Sequence, residues 1–270
     1  MGRAKQIIVR PIAKADADRI VRRLHYSGKV VQNSQVHLGV FLDGRCGGAL
    51  QFGPSLDKRK LQHLVAGTRW NDFLELNRMA LADWLPRNGE SRSLAVSMRL
   101  LKRQYRWLKW VVSFADAAQC GDGMIYRAAG FVLTGIAKNT AMWRMPDGRV
   151  VCKVNLEPGN GAVAEKLRYG KRGGEGATRF LRRIGAVPIA GHQLRYLYFL
   201  DAAARHRLTV PVIPFSRIDQ LGAAMYRGEP RAGSVDSGTL ADQAGGGGAT
   251  PTPALFDGRC RARAGTEEKQ

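Results

Sequence analysis

Hydrophobic and polar positions run in two different periods along this chain, and the switches between them lay out the elements. "QIIVRPI" reads as a strand. "KADADRIVRRLHY" follows at helical spacing, with Ile20, Val21, Leu24 and Tyr26 on or near one face. "VHLGVFLDGRCGGALQFG" is two β-rich runs about Asp43-Gly44, a strong hairpin signal. "FLELNRMALAD" is a strand and "WLPRNGESRS" a loop by its Pro, Asn, Gly and Ser. "SLAVSMRLLKRQYRWL" predicts a helix with the stripe Leu94, Met98, Leu101, Tyr105 and Leu108, and with Arg99, Lys102, Arg103 and Arg106 on the other face. "KWVVSFAD" is apolar almost throughout, as a strand in a sheet centre should be. A short helix over Ile125–Ala129 ends at Gly130. "FVLTGIAK", "AMWRM" and "RVVCKVNL" are β-like, with Pro146-Asp147-Gly148 as the turn between the last two.

That order predicts an α/β protein whose mixed central sheet is partly antiparallel and flanked by helices. Residues 1–157 hold the regular pattern. Residues 158–226 form a basic extension, expected to pack on the core and contact a polyanion, and residues 227–270 read as a disordered tail rich in Gly, Ala, Pro and Thr.

Charge sharpens this picture. The chain of 270 residues carries 43 Lys and Arg against 22 Asp and Glu, a formal net charge of +21. The segment from Arg227 to Gln270 is balanced, so the whole excess lies before it. Such a surplus points to nucleic acid, and the preference for arginine suits phosphate and base contacts. A GC-rich coding sequence would also enrich arginine. Arg168, Lys171 and Arg172, in a glycine-rich stretch, and Arg182 and Arg183 beyond it are the expected DNA contacts. The four cysteines form no C-x-x-C pair, which excludes the common zinc signatures and fits a reducing cytoplasm. No run is long enough to span a membrane.

Three stretches carry a resemblance. "MIYRAAGF" sets Tyr126, Gly130 and Phe131 in a Tyr-x-x-x-Gly-Phe pattern after a central strand, and the order of elements resembles the GNAT fold of CoA-dependent acyltransferases. Adding "LHYSGKVVQN" and the pair "ELNRMALAD" and "LPRNGESRSL", the chain resembles the Mom family of phage DNA-modification proteins over roughly residues 5–200. That resemblance implies a GNAT-like transferase that converts adenine in duplex DNA to a carbamoylmethyl (acetamido) adenine on its exocyclic amine, protecting phage DNA from host restriction in the host cytoplasm. The alternatives are a GNAT N-acetyltransferase acting on a protein or small-molecule amine, and a basic DNA-binding protein without catalysis.

The resemblance implies a catalytic group of His25, Tyr26, Asp116 and Tyr126. His25 ends an amphipathic helix and Asp116 ends a buried strand, and strand ends border the ligand crevice in open α/β sheets. Singly, such residues are more often a core histidine and a helix cap. His25, Tyr26 and Asp116 also offer imidazole, phenolate and carboxylate, donors that suit ferrous iron. Acetyl-CoA or a related donor is implied at Arg87, Asn88, Gly89, Ser91 and Ser93, where a helix N-terminus follows a turn. The glycine spacing usual in GNAT loops is missing there, and Ser91 or Ser93 would equally serve as a helix cap. Asn77 and Arg78 interrupt an apolar strand and either contact substrate or form its outward face. His37 and His63 read as structural.

Because the charge excess dominates the expected partner, affinity for duplex DNA should fall steeply as salt rises. A salt titration of binding checks this, and a flat response would contradict it.

Overall fold

Seven strands join in one sheet, and where two of them part company sets the rest of the molecule. The computed structural model describes residues 2–25, 27–116, 121–153, 156, 164, 167–170, 175–223, 225–226 and 229–230. Strand β1 (Ile8–Pro11) leads into α1 (Lys14–Leu24), and β2 (Val36–Leu42) and β3 (Arg45–Gly53) form the expected hairpin. Its turn residues Asp43 and Gly44 have φ of 51° and 75°, the left-handed pair that a two-residue hairpin requires. After α2 (Lys58–Gln62) come β4 (Phe73–Leu81), α3 (Gly89–Gln104), β5 (Trp110–Asp116), α4 (Met124–Ala128) and β6 (Val132–Lys138). A smaller sheet of β7 (Met142–Arg144), β8 (Val150–Cys152) and β9 (Val187–Pro188) follows, with α5 (Ala177–Arg183) beside it. Then β10 (His192–Phe199), α6 (Ala202–Arg205), α7 (Ser216–Gln220) and the short pair β11 (Met225–Tyr226) and β12 (Glu229–Pro230) complete the described chain.

The large sheet runs β1-β2-β3-β4-β5-β10-β6. All its neighbours pair antiparallel except β4 and β5, which are parallel. The mixed α/β sheet expected from the sequence is thus present. One expectation changes. Residues beyond 157 supply β10, which fills the position between β5 and β6, rather than an extension laid on a finished core. The small sheet and α5 form an insertion between β6 and β10, with an apolar cluster of its own that includes Trp143, Tyr169, Phe180 and Leu181. Residues 231–270, the expected tail, lie outside the described residues.

Alternation along the strands gives the sheet two apolar faces. Leu94, Met98 and Leu101 of α3 pack with Leu50, Phe52, Leu76, Val111 and Ala115 on one face, and Tyr126 of α4 joins them. Phe73, Trp110, Val112 and Phe114 face the other way, toward Leu61, Leu64 and Val65 around α2. Trimming a fully buried leucine here to alanine should cost about 2–5 kcal/mol.

Helix α1 lies on the α2 side, tied to β3 by a polar link. Gln51, fully buried, donates to Asp18 Oδ1 at 2.7 Å, and Lys14 Nζ lies 2.6 Å from Oδ2. Burial would raise the Asp18 pKa, but the hydrogen bonds from Lys14 and Gln51 outweigh it and hold the carboxyl below its ordinary value. A depressed carboxylate contributes stability above its unfolded pKa, about 3.9, and loses it as pH falls through the lower folded value. Asp18→Ala should therefore cost about 1–3 kcal/mol at neutral pH. Denaturant melts of both proteins should show that difference shrinking below about pH 4. A difference independent of pH would show that the charge contributes nothing.

Candidate active site

The candidate site is the gap where β4 and β5 separate. Their parallel pairs run from Phe73↔Trp110 to Glu75↔Val112 and stop, while β4 continues to Leu81 and β5 to Asp116. At the point of separation β4 carries a bulge. Leu76 opposes Phe52 and Arg78 opposes Gln51, which leaves Asn77 as the extra residue. Asn77 is buried and its Nδ2 donates to the Pro54 carbonyl at 3.3 Å. Its Oδ1 is buried with no hydrogen-bond donor among the described residues. A buried acceptor left this way is costly, and it lies toward β3, where a Cβ on Gly53 would stand 2.6 Å from it.

Arg78, also buried, turns its donors onto backbone. Nε bonds the Lys29 carbonyl at 2.8 Å and Nη1 the Asn77 carbonyl at 2.7 Å. It thereby fixes the segment that leaves His25 against β4. Neither residue is on an outward face, and Arg78 acts as the anchor of a loop. His25 is the C-cap of α1 and 4% exposed. Its Nδ1 accepts from the Ser27 amide at 3.2 Å and lies 2.9 Å from Ser27 Oγ. An Nδ1 that accepts from an amide leaves the proton of the neutral ring on Nε2. Tyr26 lies outside the described residues.

On the facing strand Asp116 is 1% exposed and accepts from Asn139 Nδ2 at 2.9 Å. Asn139 is itself fixed, because its Oδ1 accepts from the Ala141 amide and its own amide bonds Gly191. By alternation Asp116 is on the α2 side of the sheet, together with its cross-strand neighbour Gln193 and with Arg195. Tyr126 comes from the opposite side. It stacks on Tyr196 with ring centroids 5.1 Å apart, and its hydroxyl donates to the Phe114 carbonyl at 3.4 Å, beyond the last β4–β5 pair. Tyr196 donates to the Asp122 carbonyl, and burial pushes its own pKa far up, so it stays a neutral phenol. Gly123, at φ +75°, makes this fit possible, since a Cβ there would stand 2.6 Å from the Tyr196 ring. The glycine in the turn before α4 exists for that close approach.

The structure thus sets Asn77, Arg78 and Asp116 on the two strands bordering one gap, with Tyr126 reaching it from the other face. The turn before α3 is mixed. Asn88 stands at φ 66°, Ser91 Oγ donates to the Asn88 carbonyl, and Glu90 sits in the first turn. Ser93 is fully buried and donates back to the Gly89 carbonyl at 2.6 Å, so it neither caps the helix nor faces an anion. Arg87, Asn88, Gly89 and Ser91 remain at the turn where a donor's phosphates could lie. Among the described residues no group of three His, Cys, Asp or Glu side chains could hold a metal, and Tyr26, one of the three donors expected for iron, lies outside the described residues.

The expected DNA contacts fall in the insertion. Arg168 and Arg182 are exposed, whereas Arg183 is held by Glu175 through two bonds of 3.0 and 2.9 Å. Lys171 and Arg172 lie outside the described residues. Two residues near the gap escaped the sequence reading. Asn139 stands in no periodic pattern. Arg195 sits in the alternating "HQLRYLYF", where its guanidinium lies over Gly135 and donates to Thr134 Oγ1 at 3.2 Å and the Thr134 carbonyl at 2.7 Å. Burial lowers its pKa. The period of two could have marked β10, but not the partners of Arg195.

If Arg78 anchors the loop, Arg78→Ala leaves buried carbonyls unpaired and should destabilise the fold by about 1–3 kcal/mol. Hydrogen exchange should then quicken in the segment 27–33. Exchange that stays at the wild-type rate would refute the anchor.

Comparison with known proteins fits this geometry to a family. The family model described as the Mom protein family matches residues 6–217. The chain is 34% identical over 207 residues to "Methylcarbamoylase mom" of Escherichia phage Mu, covering 76% of this chain and 80% of that one. Among solved structures, the ribosomal-protein-S18-alanine N-acetyltransferase of Escherichia coli is 12% identical with a TM-score of 0.40, over 72% of this chain and 94% of that one. An acetyltransferase of Bacillus subtilis in complex with CoA is 8% identical with a TM-score of 0.39, over 72% and 97%. Matched by the family model over most of its length and by a relative at this identity, the chain belongs to the Mom protein family.

Proposed function

We propose that this protein modifies DNA, placing a carbamoylmethyl group on the exocyclic amine of adenine in duplex DNA. The observation that carries the reading is the β4–β5 gap with the Asp116 carboxylate at its border, in a chain 34% identical to a protein named a methylcarbamoylase. The net charge of +21 supports a DNA substrate. In phage such a modification would shield the genome from host restriction.

The exocyclic amine lies within the base stack, so the adenine must leave it to reach the gap. The new bond joins that nitrogen to a methylene carbon, and the nitrogen gives up a proton. Asp116, which accepts from Asn139, would receive it. His25, with its proton on Nε2, would donate to the base or to the donor's carbonyl. Tyr126 would protonate the leaving group from the α4 side. The step balances with a donor whose methylene carbon carries both the carboxamide and a leaving group, the bond to the leaving group breaking as the N–CH2 bond forms; if that donor is a CoA derivative, Arg87 with the turn Asn88–Ser91 would hold its phosphates. Since the product is joined through the methylene and not through the carbonyl, plain acyl transfer does not make it.

Exposed Arg99, Lys102, Arg103 and Arg106 on and just after α3, with Arg168 and Arg182 of the insertion, would grip the backbone. Among the described residues no helix is long and apolar enough to cross a membrane.

The test is mass spectrometry of nucleosides from DNA of cells making the protein. An adenosine heavier by a carbamoylmethyl group is expected, and it should vanish with His25→Ala while melting temperature and duplex binding persist. Unmodified adenosine in cells making folded wild-type protein would overturn the reading.

A further inference from the structure

Away from the gap, at the closed end where β4 and β5 still pair, lies a groove of about 720 Å³. It is bordered by Trp70 before β4, by Tyr105 and Trp107 after α3, and by Lys58, Arg69 and Asp72. Trp70 is 50% exposed and Trp107 53%. Two tryptophans left half in water beside one concavity are unusual, because each large ring would otherwise be buried. Trp107 meets Tyr105 edge-on at 5.2 Å, which fixes its plane. Leu74 and Leu108, both buried, line the groove with them.

The charges at the groove are mostly positive. Lys58 is 6% exposed, with its ammonium 4.7 Å from the Trp70 ring and 5.4 Å from the Phe73 ring. Among the described residues it has no carboxylate partner. The one acid lining the groove, Asp72, is taken up by Arg69, whose Nε lies 3.3 Å from it. Arg59, Lys60, Arg103 and Arg106 are exposed on the flanking elements, and of these Lys60 is paired with Asp57 at 3.0 Å. A cationic ligand is disfavoured, since Lys58 already stands over the Trp70 ring. An uncharged apolar ligand would leave the cations unmatched. The chemistry that fits is a flat π surface joined to negative charge, and the volume is within the usual range of small-ligand sites.

The geometry points to a second nucleic-acid site: the groove takes unpaired bases of a single strand, stacked against Trp70 and Trp107, with the adjoining phosphates on Lys58 and Arg69. Base–aromatic stacking is sequence-tolerant, so the site holds a strand without reading it. A duplex, whose bases are already stacked, gains nothing from the tryptophans. The site therefore favours a single strand of DNA, the nucleic acid on which the protein is proposed to act.

The experiment uses the full chain and measures fluorescence anisotropy of labelled oligodeoxyadenylate, oligoriboadenylate and a blunt duplex, each across a salt series. Trp70→Ala and Trp107→Ala should each weaken single-strand binding about 5- to 100-fold. Duplex affinity and the salt dependence should be unchanged. Trp70→Phe should keep most of the affinity, which separates stacking from a folding defect. Oligodeoxyadenylate should bind at least as tightly as oligoriboadenylate, and a clear preference for the ribo strand would overturn the assignment to DNA. Single-strand affinity unchanged in the double alanine variant would overturn the proposal, as would a loss shared equally by the duplex. The site requires nothing of the chemistry in the gap, so failure of adenine modification would count against that reading alone.

Discussion

The parallel pairing of β4 and β5 is short, and most of the site follows from where it stops. From Phe73↔Trp110 to Glu75↔Val112 the strands share a hydrogen-bonded ladder, and beyond that they diverge. Opening a sheet in its middle leaves backbone donors and acceptors to be satisfied by other means. One answer is local: Tyr126 brings its hydroxyl to the Phe114 carbonyl. The bulge at Asn77 serves the divergence too, because an extra residue bends β4 away from β5, while the Asn77 side chain ties it to the end of β3 through the Pro54 carbonyl. The gap is thus built into the sheet.

The remaining strands brace that opening. β10 arrives from far along the chain to pair with the whole of β5, from Asp116 to Trp110. Without it β5 would lack neighbours on both edges beyond Val112. The insertion that precedes β10 brings Gly191, whose carbonyl takes the Asn139 amide, and Asn139 in turn holds Asp116. On the other side Arg78 and the Asp18–Gln51 link fix α1 and the loop after it. Asp116 and His25 are therefore each positioned by residues distant in sequence, which is how a site on a rigid scaffold keeps its geometry.

Much of this was legible before any coordinates. The Asp43-Gly44 turn, the apolar "WVVSFAD" and the Leu94, Met98, Leu101 stripe follow from local rules and form the expected elements. Asp116 at a buried strand end was readable for the same reason. What failed depended on register or on distant partners. "HQLRYLYF" falls in the stretch expected to be a basic extension, yet it forms β10 between β5 and β6. Asn77 and Arg78 stood out as polar breaks in an apolar run, but only the one-residue bulge shows why both are buried. Ser93 read as a cap or a phosphate ligand, and instead bonds the carbonyl one turn back within the helix. Nothing local distinguishes these cases, since each is decided by what lies across the sheet or along the helix.

The account rests on the charge of one buried carboxylate at the mouth of the gap. Asp116→Asn keeps the shape and leaves an oxygen for Asn139 while removing the carboxylate proposed as the base. Modified adenosine, measured by mass spectrometry in DNA from cells making this variant, tests the claim most directly when paired with melting and duplex-binding measurements on the same protein. The account predicts a folded protein that binds duplex DNA and yields no modified adenosine. A wild-type yield of modified adenosine from Asp116→Asn would contradict it.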